Sequence, residues 1–193
     1  VAVRLRAAEI LGAIGSEAAL DALAGALADP EWMVRRAAVR ALGEIPSPRV
    51  PGLLTPLQED PDPRVRAPAL RVLAGRGVGG ALWALAEELA GPTAAKLVAL
   101  DALRALADPS VVPEVGRTAS DPDLEVAARA VETLAVTESG PALAHLFRAL
   151  YDPRLGVSSV ARAGLLRRTG SDPGARPGAW RRWGEARGLA PPD

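Results

Sequence analysis

The sequence predicts an all-α chain folded as a right-handed α-solenoid of stacked helical hairpins, with no strands. Three observations carry that reading. Leucines recur at Leu11, Leu42, Leu73, Leu103, Leu134 and Leu165, at intervals of 31, 31, 30, 31 and 31 residues, a period that a single globular core does not impose. Alanine stands four positions before each of them, at Ala7, Ala38, Ala69, Ala99, Ala130 and Ala161. One helical row is therefore small in all six copies, which suits close helix packing. Finally, the composition is 49% hydrophobic but only 3% aromatic, as expected of a core built from Ala, Leu and Val in a helix stack.

Taken in order, residues 1–15 carry the pattern of a second helix. Val3, Arg4, Ala7, Ala8 and Leu11 match Val34, Arg35, Ala38, Val39 and Leu42. They are expected to be the unpaired second helix of a truncated repeat. Full repeats follow at 16–46, 47–77, 78–108, 109–139 and 140–170, and 171–193 form a C-terminal cap, the whole making one domain. In the first full repeat Ser16 is a candidate N-cap, and Leu20, Leu23 and Leu27 make an apolar stripe at helical spacing. Asp29-Pro30 is expected to close that helix and open the next, the carboxylate capping free amides and the proline taking the first helical position. The same dipeptide returns at Asp60-Pro61, Asp121-Pro122 and Asp152-Pro153, whereas Gly91-Pro92 lacks the carboxylate.

Other prolines mark local departures. Pro51 and Pro56 should shorten or kink the first helix of 47–77, and Pro68 should bend its second helix without breaking it. Residues 110–119, with Pro113 and Gly116, make the weakest first helix; 140–151, with Leu143, Leu146, Phe147 and Leu150, make a stronger one. The glycine-rich 75–80 reads as a flexible turn. In the cap, Trp180 and Trp183 suit a short amphipathic helix that covers the apolar end of the stack.

Charge and residue types narrow the function classes. There are 23 basic and 23 acidic side chains, which removes the simplest argument for nucleic acid or an anionic membrane as partner. The neutral total hides an acidic excess over 78–150 and a basic excess over 152–193. No cysteine is present, so disulfides, thiolate metal sites and thiol nucleophiles are excluded, and a cytoplasmic setting is expected. His145 is the only histidine. Paired-histidine metal motifs cannot be assembled from it, and it reads as a partly exposed bystander. No cofactor and no metal are expected.

The stretch D-P-x-x-x-V-R-x-x-A followed by leucine, as in Asp29, Pro30, Val34, Arg35, Ala38 and Leu42, resembles the bacterial HEAT-like repeats associated with phycobilin lyase subunits. The likeness extends over nearly the whole chain. It implies a ladder between neighbouring repeats made from the turn Asp and the Arg six residues later, which maps onto Asp29 with Arg35 and Asp60 with Arg66. Lys96 continues the basic column, and Ala127 and Ser158 end it.

In such a solenoid the second helices line the concave side, and two columns of residues are expected to face solvent there. One runs Glu9, Arg40, Arg71, Asp101, Glu132, Ala163; the other runs Leu5, Arg36, Ala67, Leu97, Ala128, Ser159. Lateral salt bridges, Glu9 with Arg40 and Arg71 with Asp101, are one reading. The other makes Arg36, Arg40 and Arg71 a cluster for an acidic peptide or phosphate, with Asp101 and Glu132 selecting a basic neighbour. Trp32 is either an anchor at the groove edge or a packing residue against the next repeat. The leading function is a noncatalytic scaffold or adaptor that holds a protein or peptide partner on its concave surface. A chromophore lyase or its accessory subunit is the alternative that the resemblance implies. A DNA-repair glycosylase on HEAT-like repeats, with a carboxylate such as Asp101 at its centre, is a third, and the neutral charge and sparse aromatics weigh against it.

Overall fold

The structure is a computed structural model that describes residues 1–174 and 178–190. Every regular element among them is helical, and the chain forms two compact units, Val1–Glu88 and Leu89–Asp193. The division falls inside the 78–108 repeat.

In the first unit, α1 (Ala2–Ile14), α3 (Trp32–Glu44) and α5 (Pro63–Gly75) pack side by side as one layer. The other layer holds α2 (Leu20–Ala26), α4 (Val50–Leu54) and α6 (Ala81–Glu87), each packed on the second-helix layer. In the second unit α7 (Thr93–Leu106), α9 (Leu124–Val136) and α11 (Leu155–Thr169) form the equivalent row. It is backed by α8 (Val112–Thr118) and α10 (Gly140–Ala149), and a terminal α12 (Ala179–Glu185) follows. The periodic leucines are the reason for this arrangement. Leu42, Leu73, Leu103, Leu134 and Leu165 are all sealed from water, as are Leu20 and Leu23 of the facing stripe. Leu11 is only half-buried, and α1 leaves Val3, Ile10 and Ile14 exposed.

Local chemistry explains the irregular helices. With Pro51 and Pro56 in its span, the first helix of 47–77 has a single short α segment, which runs into a tighter 3-10 turn over Thr55–Glu59. Pro68 leaves α5 continuous. Ser16 precedes a 3-10 turn, Glu17–Ala19, but its side chain makes no capping hydrogen bond. The Asp-Pro turns also differ from expectation. Asp29, Asp60, Asp121 and Asp152 do not cap the helices; each carboxylate accepts from the backbone N–H two residues on, at 2.9 Å. The helices begin later, capped by Asp62 and Asp123 where a cap exists. The turn aspartates close an Asx-type turn and keep their remaining oxygen for a cation.

Close helix approaches also fall beside the leucines. A Cβ on Gly12 would lie 2.7 Å from Ala41 Cβ, one on Gly43 2.8 Å from Val72, and one on Gly164 2.8 Å from Ala135. Glycine or alanine at these points lets neighbouring second helices touch backbone to backbone. Within the alanine row Ala38, Ala69, Ala99, Ala130 and Ala161 are buried, but Ala7 is exposed.

Candidate functional site

The turn aspartates and the basic column form a ladder, with a register that crosses repeats. Arg35 forks onto Asp60, Nε to Oδ2 at 2.7 Å and Nη2 to Oδ1 at 2.9 Å, and its Nη1 donates to the carbonyls of Asp29 and Pro30. Asp29 and Arg35 therefore meet only through a backbone oxygen, because the Asp29 carboxylate is taken by Arg4 of the preceding helix at 2.6 Å. Arg66 likewise holds the carbonyls of Asp60 and Pro61 and forks onto Glu88, which serves where Gly91 offers no carboxylate. Lys96 pairs with Asp121 at 2.7 Å. With Ala127 and Ser158 in the column, the basic role passes to Arg154. It forks onto Asp152 and donates Nη1 to the Asp121 carbonyl at 2.6 Å. These contacts hold Asp29 below the usual carboxylate range through Arg4, and Asp152 through Arg154.

The candidate ligand-facing residues separate into two groups. Arg36 and Arg40, one turn apart on α3, and Arg71 on α5 make no ion pair or side-chain hydrogen bond with any described residue of their own unit. Glu9, the expected partner of Arg40, pairs with Arg6 of its own helix instead, at 2.9 Å. An i,i+3 neighbour is reached with less side-chain ordering than a residue on another helix. Arg40 lines a shallow groove of about 320 Å³ between α1 and α3, whose floor is Gly12, Ala37 and Ala41 and whose edges include Glu9 and Glu44. In the second unit Asp101 pairs with Arg129 at 2.5 Å and Arg104 at 3.4 Å, and Glu132 lies 3.5 Å from both of these arginines. Asp101 and Glu132 are thus engaged within their own unit. The second expected column is not open to solvent along its length, since Ala67 is fully buried and Leu5, Leu97 and Ala128 are half-buried.

The first repeats are HEAT-like. Residues 1–74 match the family model for HEAT repeats. A crystal structure of an engineered protein is similar to the chain with a TM-score of 0.53 at 21% identity, over 83% of this chain and 88% of that one. Human deoxyhypusine hydroxylase, solved in complex with glycerol, gives a TM-score of 0.43 at 21% identity, over 84% and 77% of the two chains. No curated protein matches significantly. The likeness to the engineered protein concerns the fold alone.

Several features of the surface were not read from sequence. Arg76, in the glycine-rich turn, donates to the carbonyls of Gly43, Ile45 and Ser47, so this turn is tied across repeats rather than free. Arg168 does the same to Ser139. Both lie three residues past a periodic leucine, a recurrence that is visible once the repeats are aligned. Trp32 stacks under the Arg64 guanidinium, 3.5 Å from its ring centre, and so bears on the next repeat. His145 occupies the space left by the missing side chain of Gly116. Burial, then the nearby Arg148, pushes its imidazole below its ordinary value. No helix among the described residues is long and apolar enough to cross a membrane.

Proposed function

We propose that this HEAT-like chain is a binding scaffold, and that α3 and α5 receive an acidic segment of a protein partner through Arg36, Arg40 and Arg71. One observation carries the reading: these three guanidinium groups stand without ion-pair partners in their unit, whereas Arg4, Arg35 and Arg66 of the same helices are paired. Adjacent helices pack about 8–10 Å apart, so arginines at equivalent repeat positions match the spacing of acidic groups along an extended peptide. Guanidinium forks suit carboxylates. Glu9 and Glu44 at the groove edge disfavour a uniformly anionic polymer and favour a segment with a few well-placed acids.

The test is direct binding of a fluorescein-labelled glutamate-rich peptide, with a lysine-rich peptide as control. Loss of one charge-assisted contact costs on the order of 1–3 kcal/mol, so Arg40→Ala and Arg71→Ala should each weaken binding about tenfold. Neither should move the melting temperature. An Arg36/Arg40/Arg71 triple-alanine protein that binds as the parent does would reject the proposal.

A further inference from the structure

A cavity of about 670 Å³ lies wholly in the second unit, between the end of α10, the first half of α11 and α12. Its walls are of two kinds. Leu150, Tyr151, Leu155 and Trp180 supply apolar surface; Arg162 and Arg181 supply positive charge. Two exposed apolar side chains, Leu155 at 80% and Tyr151 at 37% exposure, both line this one space. A single exposed leucine is ordinary, but apolar groups converging on a concavity are not.

The aromatic wall is braced. Trp180 meets Trp183 edge-on at 5.4 Å, Trp183 meets Phe147 at 6.1 Å, and Phe147 meets Tyr151 at 5.5 Å. Four of the chain's six aromatic residues form this run, and both of its ends line the cavity. Gly184 fits against the Phe147 ring only because it has no Cβ, which would lie on that ring.

The cationic side is incompletely satisfied. Arg162 gives one nitrogen, Nη2, to both oxygens of the exposed Asp172, at 3.0 and 3.2 Å. Its Nε is shielded from water with no hydrogen-bond partner. Arg181 has no ion pair among the described residues. Arg162 Nη1, which bonds to no described residue, and the Arg181 guanidinium keep donors that a ligand oxygen can engage.

The geometry points to a binding site for a small amphiphilic organic anion: an aromatic or branched apolar body against Leu155, Tyr151 and Trp180, and a single carboxylate or sulfonate on Arg162 and Arg181. The volume is that of pockets for small molecules of this size. Inorganic phosphate would gain nothing from the apolar wall, and a neutral hydrocarbon would leave the arginine donors unmet. The site is separate from the α3–α5 arginines and stands or falls independently of them.

The experiment titrates the full chain with anilinonaphthalene sulfonate, whose emission rises in a dry apolar site, and then adds naphthoate or its neutral isostere naphthamide as competitor. Naphthoate should displace the dye at least about tenfold more effectively than naphthamide. Arg181→Gln should abolish that difference, and Leu155→Asn should weaken dye binding about tenfold. Both positions are exposed, so their melting curves should superimpose on the parent's, which separates loss of binding from loss of fold. Absence of dye binding, equal competition by the two compounds, or parental binding in either variant overturns the assignment.

Discussion

Replacing Arg35 with alanine tests whether the ladder holds the repeats together. The Asp60 carboxylate that Arg35 grips is only 4% exposed and Arg35 itself 13%. Without the guanidinium, Asp60 keeps a single N–H donor, from Asp62, and the carbonyls of Asp29 and Pro30 lose theirs. Breaking one partner of a deeply buried pair costs about 3–5 kcal/mol. The ladder runs along the rim of the unit, close enough to solvent for part of the charge to be screened, so about 2–3 kcal/mol is expected here. For a chain of this length that corresponds to roughly 4–12 °C in melting temperature. Circular dichroism melts of Arg35→Ala, Arg35→Lys and Arg40→Ala provide the comparison. Lysine keeps the charge and loses the fork, so it should fall between the parent and the alanine variant. Arg40→Ala should stay within about 0.5 kcal/mol of the parent. An Arg35→Ala protein that melts with the parent would show that the pair contributes nothing net, and the ladder argument would fail.

The glycine contacts make an opposed pair of expectations. Gly12→Ala places a methyl 3.0 Å from the Ala41 backbone and should lower stability by about 1–3 kcal/mol, whereas Gly25→Ala meets nothing within 4 Å and should raise it by about 0.5–1 kcal/mol; urea midpoints moving in the same direction would refute the packing account. In acid, Asp29, Asp62 and Asp152 are held below their ordinary 3.8 by Arg4, Arg64 and Arg154 respectively. Their contribution is complete above that value and is lost as pH falls from about 3.8 through the lower folded-state values, so urea midpoints should be level near neutrality and drop steeply below about pH 4. A midpoint unchanged at pH 3 would contradict this. His145 gives a single histidine resonance by NMR, and its titration midpoint should lie below 6.5. Gly116→Ala should expel the ring and return the midpoint towards 6.5; a parent midpoint at or above 6.5 would mean that the imidazole is not seated as described.

The helical stack was legible because its cause is periodic. Burial of one leucine per 31 residues repeats the same physical demand, and even the irregular first helix of 47–77 could be read from Pro51 and Pro56. One element was misread, and one kind of contact was not legible. Asp-Pro was assigned to the helix cap because a carboxylate before proline satisfies free amides, but Asp29 and Asp60 use their oxygens on the turn amide and a neighbouring arginine, so the helix starts later. The alanine row is buried from Ala38 to Ala161 as its pattern implies, but the tight contacts at Gly12, Gly43 and Gly164 are not marked in that row. A single helix cannot reveal these points, since they depend on the offset between two.

Which arginines are free is a harder question, because Arg35, Arg36 and Arg40 sit on one helix and differ in no local property. What separates them is the distance along the chain to a carboxylate on the next turn. Arg4 and Asp29, Arg35 and Asp60, and Lys96 and Asp121 are each 25 residues apart, the offset from the first turn of a second helix to the turn before the next one. Twenty-five residues past Arg36, Arg40 and Arg71 stand Pro61, Val65 and Lys96, none of which can accept a proton-bearing nitrogen through its side chain. The offset alone does not decide pairing, since Arg66 has Gly91 at that distance and turns to Glu88 instead, whereas Arg36, Arg40 and Arg71 find no such substitute within their unit. The same rule does not reach the cavity at α11, whose walls come from segments as far apart as Leu150 and Arg181 and whose aromatic run has no counterpart in the other repeats. Periodicity records what every repeat must do, and a site built at one place only is visible only in three dimensions.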